Sequence, residues 1–291
     1  MIKSTPSTSQ SSPKPVPTSS READLCCEYT FDSAETLLAN KSQLTSELGL
    51  TSEPELTSNP EPVDKHHVLA VFEFGHEHYS NQMPLCHDPR HINTGLKTIG
   101  KYQREVWYST TPVSYGADAE ISWVTNDYLM LVSIKIATPP NNSLHTTTYQ
   151  AYKRLIKAIG DRGCTHIVRA WNYLADINVG GADNERYKLF CSGRHQALDE
   201  AHYYPDQYPA ASVLGHQGGP MVIYMLASAK PAIRFENPRQ VSAFRYPREY
   251  GPCAPSFARA VLKTWPNCTH IYISGTASIV GHQSLHPGDV A

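Results

Sequence analysis

The chain has 291 residues, of which 40% are hydrophobic and 18% charged, and its formal net charge is −2 at pH 7. This balance lacks the excess of Lys and Arg with which a nucleic-acid-binding surface neutralises phosphates, so we expect no nucleic-acid partner. No stretch approaches the roughly 18 consecutive apolar residues of a membrane-spanning helix, and residues 1–17 lack the apolar core of a signal peptide. The composition therefore predicts a cytoplasmic protein of one large domain or two ordinary ones, without a membrane partner.

Cysteine and histidine give no clear metal-site pattern. The seven cysteines are scattered and odd in number, without the paired spacing of a zinc ribbon. One stretch is rich in possible ligands: His66, His67, His76, His78, Cys86, His87 and His91. Because this stretch is predicted to be a strand followed by a loop, we interpret these residues as surface or loop side chains. We expect neither a metal nor an organic cofactor.

Residues 1–64 differ in composition from the rest of the chain. They are rich in Ser, Thr, Pro and Glu, and their few apolar residues show no periodicity. Such a segment cannot bury enough apolar surface to offset the entropy lost on ordering. We therefore predict a disordered tail over 1–64, followed by a first strand at residues 67–74, where β-branched and aromatic residues cluster.

Strands and helices alternate in the middle of the chain. Apolar and aromatic runs predict strands at residues 106–108, 119–124, 128–137, 164–174 and 221–227. A capping-box pattern at Thr147 and apolar residues at helical spacing predict one helix that ends near Ile159. Asp183 is predicted to cap a second helix that ends near Ala201.

The last part of the chain is predicted to contain shorter elements. They are strands at residues 233–235 and 241–246, a helix at 256–265 and a strand at 270–274. The whole order predicts an α/β or α+β fold with long mixed strands.

Four segments in the middle of the chain are THIVRAWNYLADIN and NERYKLF, within residues 165–190, and YPAASV and GGPMVIYMLA, within residues 208–227. Through them, residues 128–228 resemble a unit of the RidA/YjgF family. The resemblance implies a chorismate mutase-like fold of mixed sheets with packed helices, with the degenerate unit spanning about residues 119–228. Ala211 stands where that family has its carboxylate-binding Arg, and Ile223 where its last strand has an acidic residue. We therefore expect this unit to be a scaffold without the family's chemistry.

A second resemblance covers most of the chain. The motifs WNYLADIN, GRHQAL, NPRQVSAFRYPREYGP, PSFARA and ISGTASIVGH are similar to the chorismatase family, over roughly residues 67–290. The resemblance implies cleavage of chorismate to pyruvate and either 3-hydroxybenzoate or a dihydroxycyclohexadienoate, through protonation of the enolpyruvyl group. It implies an N-terminal domain at 65–268, and at 269–291 the start of a truncated second RidA-like unit. The family's catalytic Glu is then expected beyond Ala291, and a monomer and a trimer-like assembly both stay open.

The candidate substrate contacts are polar residues near the end of the chain. Chorismate is a small dicarboxylate, and the rigid fork of an Arg guanidinium binds a carboxylate through two N–H groups. We predict contacts from Arg239, Arg245, Tyr246, Arg259, Thr276 and Ser278, with Arg194 as a further, marginal choice. The alternative for each Arg is a surface charge or a pair with Glu236 or Glu249. The alternative for the Ser274–Ser278 loop is a simple turn.

Other polar residues are interpreted as structural. Arg169, Asn172, Tyr173, Arg186 and Arg194 follow one strand and the next helix, and we expect them mainly to support the fold. Four glutamates are interpreted as helix-terminal or salt-bridging residues: Glu185, Glu200, Glu236 and Glu249. The catalytic acid is therefore left unassigned.

Two other functions stay open. The chain could be a catalytically inactive, metabolite-binding homologue that lacks the acid Glu. It could also be a RidA-type enamine deaminase, which Ala211 and Ile223 disfavour. A serine hydrolase is disfavoured because Ser278 lacks the flanking glycines of a nucleophile elbow.

Overall fold

The computed structural model describes residues 25–30, 38, 67–74, 88–96, 103–118, 120–126, 128–137 and 139–286. The described helices are α1 (Asn141–Gly160) and α2 (Arg186–Glu200). The first strands are β1 (Leu25–Thr30), β2 (His67–Phe74), β3 (His91–Asn93), β4 (Gln103–Ser109), β5 (Ser114–Asp118), β6 (Ile121–Thr125) and β7 (Leu129–Ile136). The remaining strands are β8 (His166–Ala175), β9 (Ala210–His216), β10 (Met221–Ser228), β11 (Ile233–Phe235), β12 (Ala260–Thr264), β13 (Thr269–Ile273), β14 (Ile279–Val280) and β15 (Gln283–Ser284).

A mixed six-stranded sheet is the centre of the fold. Its strand order is β5-β6-β7-β10-β8-β9, and only the β8–β9 pair is parallel. Every residue of β10 is buried, because packed layers cover both faces of the sheet. Ile223 and Met225 face the helix layer, whereas Tyr224 faces the opposite layer. A continuous apolar strand is the expected pattern at such a position.

Helices α1 and α2 pack side by side on one face of this sheet. The apolar face of α1 presents Leu144, Tyr152 and Leu155 to the core, and α2 contributes Phe190 and Leu198. None of the described helices is long and apolar enough to cross a membrane.

Two smaller sheets share the opposite face of the central sheet. The four-stranded sheet β1-β4-β2-β3 contributes Phe72 and Trp107 to this second core. The three-stranded sheet β11-β12-β13 contributes Val261, and Trp265, which directly follows β12, packs in the same core. The result is a mixed α+β architecture, which confirms the predicted class at that level.

The N-terminal tail differs from the prediction. Leu25–Thr30 forms β1, which pairs antiparallel with β4, and the side chain of Leu25 is buried. Leu38 is also buried against the four-stranded sheet. The prediction of disorder over 1–64 is therefore wrong for these residues, and the rest of the tail lies outside the described residues. Pairing with the edge of β4 gives the backbone N–H and C=O groups of β1 hydrogen-bond partners. Amino-acid composition does not show that such an edge is available.

Both helix starts also differ from the prediction. Helix α1 begins at Asn141 after Pro140, well before Thr147, because buried Leu144 extends its apolar face. Helix α2 begins at Arg186, and Asp183 lies in the preceding 3-10 turn instead of capping the helix.

The segment at 256–265 is not a helix. Ala260–Thr264 forms β12, because antiparallel pairing with β11 and β13 on either side overrides the helix-forming residues in its sequence. The predicted strand at 241–246 is a 3-10 turn at Ala243–Arg245.

Candidate functional site

The predicted substrate-binding motifs come together around one backbone ladder at the end of the chain. Val241 donates its N–H to the carbonyl of Gly281 at 2.7 Å, and Gly281 donates to the carbonyl of Arg239 at 2.8 Å. The side-chain amide of Gln240 adds a hydrogen bond to the Ile279 carbonyl at 3.0 Å. Residues 239–241 and residues 279–281, which are forty positions apart, thus form one hydrogen-bonded unit.

A surface pocket of about 320 Å³ lies at this ladder. Arg239 and Ser278, two of the predicted contacts, line it, and both side chains are exposed and accessible to a ligand. The Ser278 hydroxyl lies 3.3 Å from Nδ1 of His286. The other described lining residues are Asn237, Gln240, Ala277, Ile279, Val280 and Leu285. Within this described lining there is a cationic side chain but no carboxylate.

Arg259 lies beneath this unit rather than in the pocket wall. Its side chain is buried, and its Nη2 donates to the Val241 carbonyl at 2.9 Å and to the Tyr246 hydroxyl at 2.8 Å. Glu236 accepts a hydrogen bond from the backbone N–H of Arg259, not from its guanidinium. The guanidinium is thus used to hold the 241–246 turn, and its predicted contact with substrate stays a prediction.

A tyrosine and a histidine extend the unit away from Arg259. The Tyr250 hydroxyl lies 3.1 Å from Nδ1 of His282, and the Tyr250 ring packs against Tyr246. Glu249 lies 3.8 Å from the same His282 nitrogen. His282 therefore has two polar neighbours.

The Ser274–Ser278 loop is anchored at its first two residues. The buried Ser274 hydroxyl accepts a hydrogen bond from the Ala211 N–H at 2.8 Å and donates to the Ala258 carbonyl at 2.5 Å. Gly275 fits because an added Cβ would lie 3.1 Å from the Ser212 hydroxyl. Thr276 and Ser278 extend beyond these anchors and are exposed. The loop is thus a fixed connection between β13 and the pocket.

Arg245 and Arg194 do not line the pocket. Arg245 is exposed, and its guanidinium lies over the Phe244 ring. Arg194 is fully buried on α2, and its Nε and Nη1 have no hydrogen-bond partner among the described residues. Burial lowers the pKa of Arg194, but Tyr152, Cys191 and Tyr187 together outweigh it and raise that pKa. Its position fits the structural alternative better than substrate contact.

The polar residues of β8 support the sheet and the helices. Asn172 accepts a hydrogen bond from the Tyr152 hydroxyl at 2.7 Å and donates to the Ser212 carbonyl at 2.8 Å. Arg169 donates to the Ser212 hydroxyl, and burial lowers the pKa of Arg169 to about 10. Both side chains thus hold β9 at the residue that packs against Gly275.

Two of the four glutamates that were interpreted as helix-terminal or salt-bridging residues form ordinary surface interactions. Glu200 accepts hydrogen bonds from Tyr149 and Gln196 on the helix surface. Glu185 lies 3.5 Å from the Lys188 ammonium.

Glu105 is a carboxyl that sequence reasoning missed. It lies on β4 between two sheets and accepts hydrogen bonds from Trp107 Nε1 at 2.5 Å and from the Tyr29 hydroxyl at 3.5 Å. Burial raises the pKa of Glu105 and outweighs these two hydrogen bonds, which lower it. Nothing in the sequence points to this carboxyl, because its partner Tyr29 belongs to the segment predicted to be disordered.

Glu105→Gln is expected to stabilise the fold more at neutral pH than at acid pH. Because the folded-state pKa of Glu105 is raised, the folded protein binds more protons than the unfolded chain above about pH 4.3. The stability of the parent chain therefore falls as pH rises through this window, whereas Gln carries no charge to desolvate. Urea unfolding at about pH 4 and pH 7.5 checks this difference, and a gap between the two proteins that does not change with pH contradicts it.

The described residues hold no group of three or more His, Cys, Asp or Glu side chains that could bind a metal ion. Of the predicted loop histidines, His91 lies in β3 with its Nε2 2.8 Å from a Glu73 carboxylate oxygen. The residues at 66, 76, 78, 86 and 87 lie outside the described part of the chain.

Sequence comparisons connect the chain with proteins of one type. A family model described as the N-terminal part of FkbO/Hyg5-like chorismatases matches residues 105–227. A chorismatase of Streptomyces hygroscopicus is 38% identical over 189 residues, which are 64% of this chain and 54% of the relative. A 3-hydroxybenzoate synthase of the same species is 33% identical over 192 residues, or 64% of this chain and 56% of the relative. The chain thus spans little more than half the length of these curated relatives.

Structural comparison agrees with the sequence matches. A solved crystal structure of a chorismatase aligns with a TM-score of 0.71 at 29% identity, covering 91% of this chain and 72% of that one. The mixed α+β architecture described above is therefore shared with that protein.

Proposed function

Since the chain is similar to chorismatases in sequence and in fold, we propose that it binds chorismate and serves its cleavage to pyruvate and a cyclic acid. The observation that carries this proposal is the pocket at which Arg239 and Ser278 meet. Arg239 supplies an exposed guanidinium for a carboxylate, and Ser278 supplies a hydroxyl for a second polar group of the substrate.

The proposed reaction begins with a proton. Protonation of the enolpyruvyl methylene carbon gives an oxocarbenium ion, to which water adds. The resulting hemiketal then collapses, so that the ether C–O bond breaks and pyruvate and the ring alcohol are released. A carboxylic acid with a raised pKa is the natural donor for the first step.

A binding role without turnover is the second candidate function. It is favoured by the absence of a carboxyl among the described lining residues of the pocket. Glu105 has the raised pKa that a donor needs, but it lies between the four-stranded sheet and the central sheet and does not line the pocket. In the binding candidate, chorismate is held but not converted.

Pyruvate release from chorismate, coupled to lactate dehydrogenase, tests the proposal. We would assay this chain beside a version extended through the downstream reading frame and titrate chorismate binding to both. Turnover by either version supports the family reaction. Binding without turnover by either supports the second candidate, and no binding by either contradicts both.

Arg239→Ala is expected to weaken chorismate binding by about 10- to 100-fold, because it removes a charged partner for a carboxylate. Isothermal titration calorimetry measures the change. Arg154→Ala is the matched control. Arg154 is an exposed residue of α1 that pairs with Glu120 and does not line the pocket. If the two variants have the same dissociation constant for chorismate, Arg239 does not bind its carboxylate and the prediction is wrong.

We further propose that the central unit is RidA-like, with residues 269–291 as the start of a second unit. The support is the chain order β7, α1, β8, α2, β9, β10, together with the parallel β8–β9 pair. β13 followed by the Ser274–Ser278 loop would then repeat the first strand and turn of that order.

A further inference from the structure

The side chain of Arg194 is enclosed in the helix layer. Arg194 lies on α2 and is only 2% exposed. The ring of Phe190, about one turn earlier on the same helix, has its centroid 5.5 Å from the guanidinium carbon. A charged side chain is seldom so deeply buried, because moving an ion out of water costs far more than moving a neutral group.

Two nitrogens of this guanidinium lack an acceptor. Nε and Nη1 of Arg194 are buried and have no hydrogen-bond partner among the described residues. The neighbouring Tyr152 hydroxyl donates its own hydrogen to Oδ1 of Asn172 at 2.7 Å. Buried donors in folded proteins are almost always paired, whether with protein groups, with water or with an ion.

Other buried arginines show how this fold satisfies a guanidinium that only supports structure. Arg186, on the same helix, donates to two backbone carbonyls and to a side-chain oxygen. Arg259 donates to a carbonyl and to a tyrosine hydroxyl, and Arg169 donates to a serine hydroxyl. Each of these three leaves one buried nitrogen unpaired, whereas Arg194 leaves two. Arg194 therefore differs from the structural arginines of this chain.

The neighbours that act most strongly on the charge of Arg194 are neutral. They are Tyr152, Cys191 and Tyr187. Burial raises the pKa of Tyr152 to about 12 and also raises the pKa of the Cys191 thiol. Cys191 and burial together raise the pKa of Tyr187. At neutral pH these three groups thus keep their protons, and the guanidinium keeps its positive charge.

We propose that Nε and Nη1 of Arg194 bind one chloride ion inside the helix layer. A monovalent anion matches the single positive charge and accepts hydrogen bonds from both N–H groups. A water molecule would pair with the N–H groups but would leave the charge uncompensated in a region of low dielectric. The anion must be small because the side chain around it is enclosed. This inference does not depend on the proposed chorismate activity.

Thermal unfolding of the full chain in sodium chloride and in sodium gluconate, at about 200 mM each, tests the proposal. Gluconate has the same charge as chloride but is too large for an enclosed site. An ion that binds only the folded state raises Tm, so we expect chloride to raise the Tm of the parent by about 3 °C more than that of Arg194→Met. Methionine has a similar length and removes the buried charge together with the site, so the variant should fold.

Arg154→Ala is the matched control, because it removes an exposed guanidinium and should keep the full response to chloride. Crystals of the full chain grown in sodium bromide give a second readout, with an anomalous peak expected at the Arg194 guanidinium. An equal response of the parent and Arg194→Met to chloride overturns the proposal, and so does the absence of bromide at Arg194. If Arg194→Met does not fold, the bromide peak decides.

Discussion

Gly193→Ala is expected to lower the free energy of unfolding by about 3 kcal/mol, since it overfills the contact between the two helices. A Cβ at position 193 would lie 2.3 Å from the carbonyl oxygen of His145 and 3.1 Å from Cβ of Thr148, both on α1. A backbone carbonyl cannot move aside as a flexible side chain can, so α2 must shift as a whole. Urea unfolding followed by far-UV circular dichroism measures the loss.

Gly160→Ala is the control for this prediction. Gly160 ends α1, and nothing lies within 4 Å of the position that its Cβ would occupy. Because Ala favours a helix more than Gly, this variant should be neutral or more stable by up to about 1 kcal/mol. Equal losses for both variants would mean that the helices do not approach each other as closely as described.

Arg186→Ala is expected to destabilise the fold by about 3 kcal/mol. The buried guanidinium donates to the carbonyl of Ala175 at 2.9 Å, to that of Pro139 at 3.0 Å and to Oδ1 of Asn141 at 2.6 Å. It thereby joins the end of β8 to the start of α1. Alanine would remove this donor from the backbone carbonyls of the buried residues Pro139 and Ala175, and thermal unfolding measures the cost.

Two further variants test the Arg186 prediction: Arg186→Lys as a conservative replacement and Arg154→Ala as a surface control. A lysine ammonium has no planar fork and cannot reach all three acceptors at once, so Arg186→Lys should recover only part of the loss. Arg154 is 53% exposed in a surface pair, and its removal should change stability by no more than about 0.5 kcal/mol. A small effect at Arg186, similar to that at Arg154, would show that water satisfies these acceptors.

The parts of the fold that could be predicted are those in which side chains alone decide the structure. β10 and the first half of β7 are apolar and buried because both faces of the central sheet are covered there, and α1 has a helical period. β12 and β9 carried no such signal. β12 forms because its neighbours pair with it, and β9, with two alanines and a glycine, forms because β8 offers a parallel edge.

The candidate site was predictable in part for a similar reason. Arg239 and Ser278 stand in unusual motifs, and the structure brings both to one pocket. Arg194 and Arg259 have the same residue type as Arg239, but the structure buries them, and burial depends on packing that local sequence does not show. Glu105 escaped notice because its neighbour Tyr29 lies 76 residues away.

The pairing of β1 with β4 affects how the chain should be handled. Composition invites a shortened version that starts near Lys65, where the Ser- and Pro-rich segment ends. Such a version would lose β1 and leave the backbone N–H and C=O groups of β4 without partners along one edge. An open strand edge is a template for pairing with other chains, so trimming the tail to aid crystallisation would promote aggregation instead.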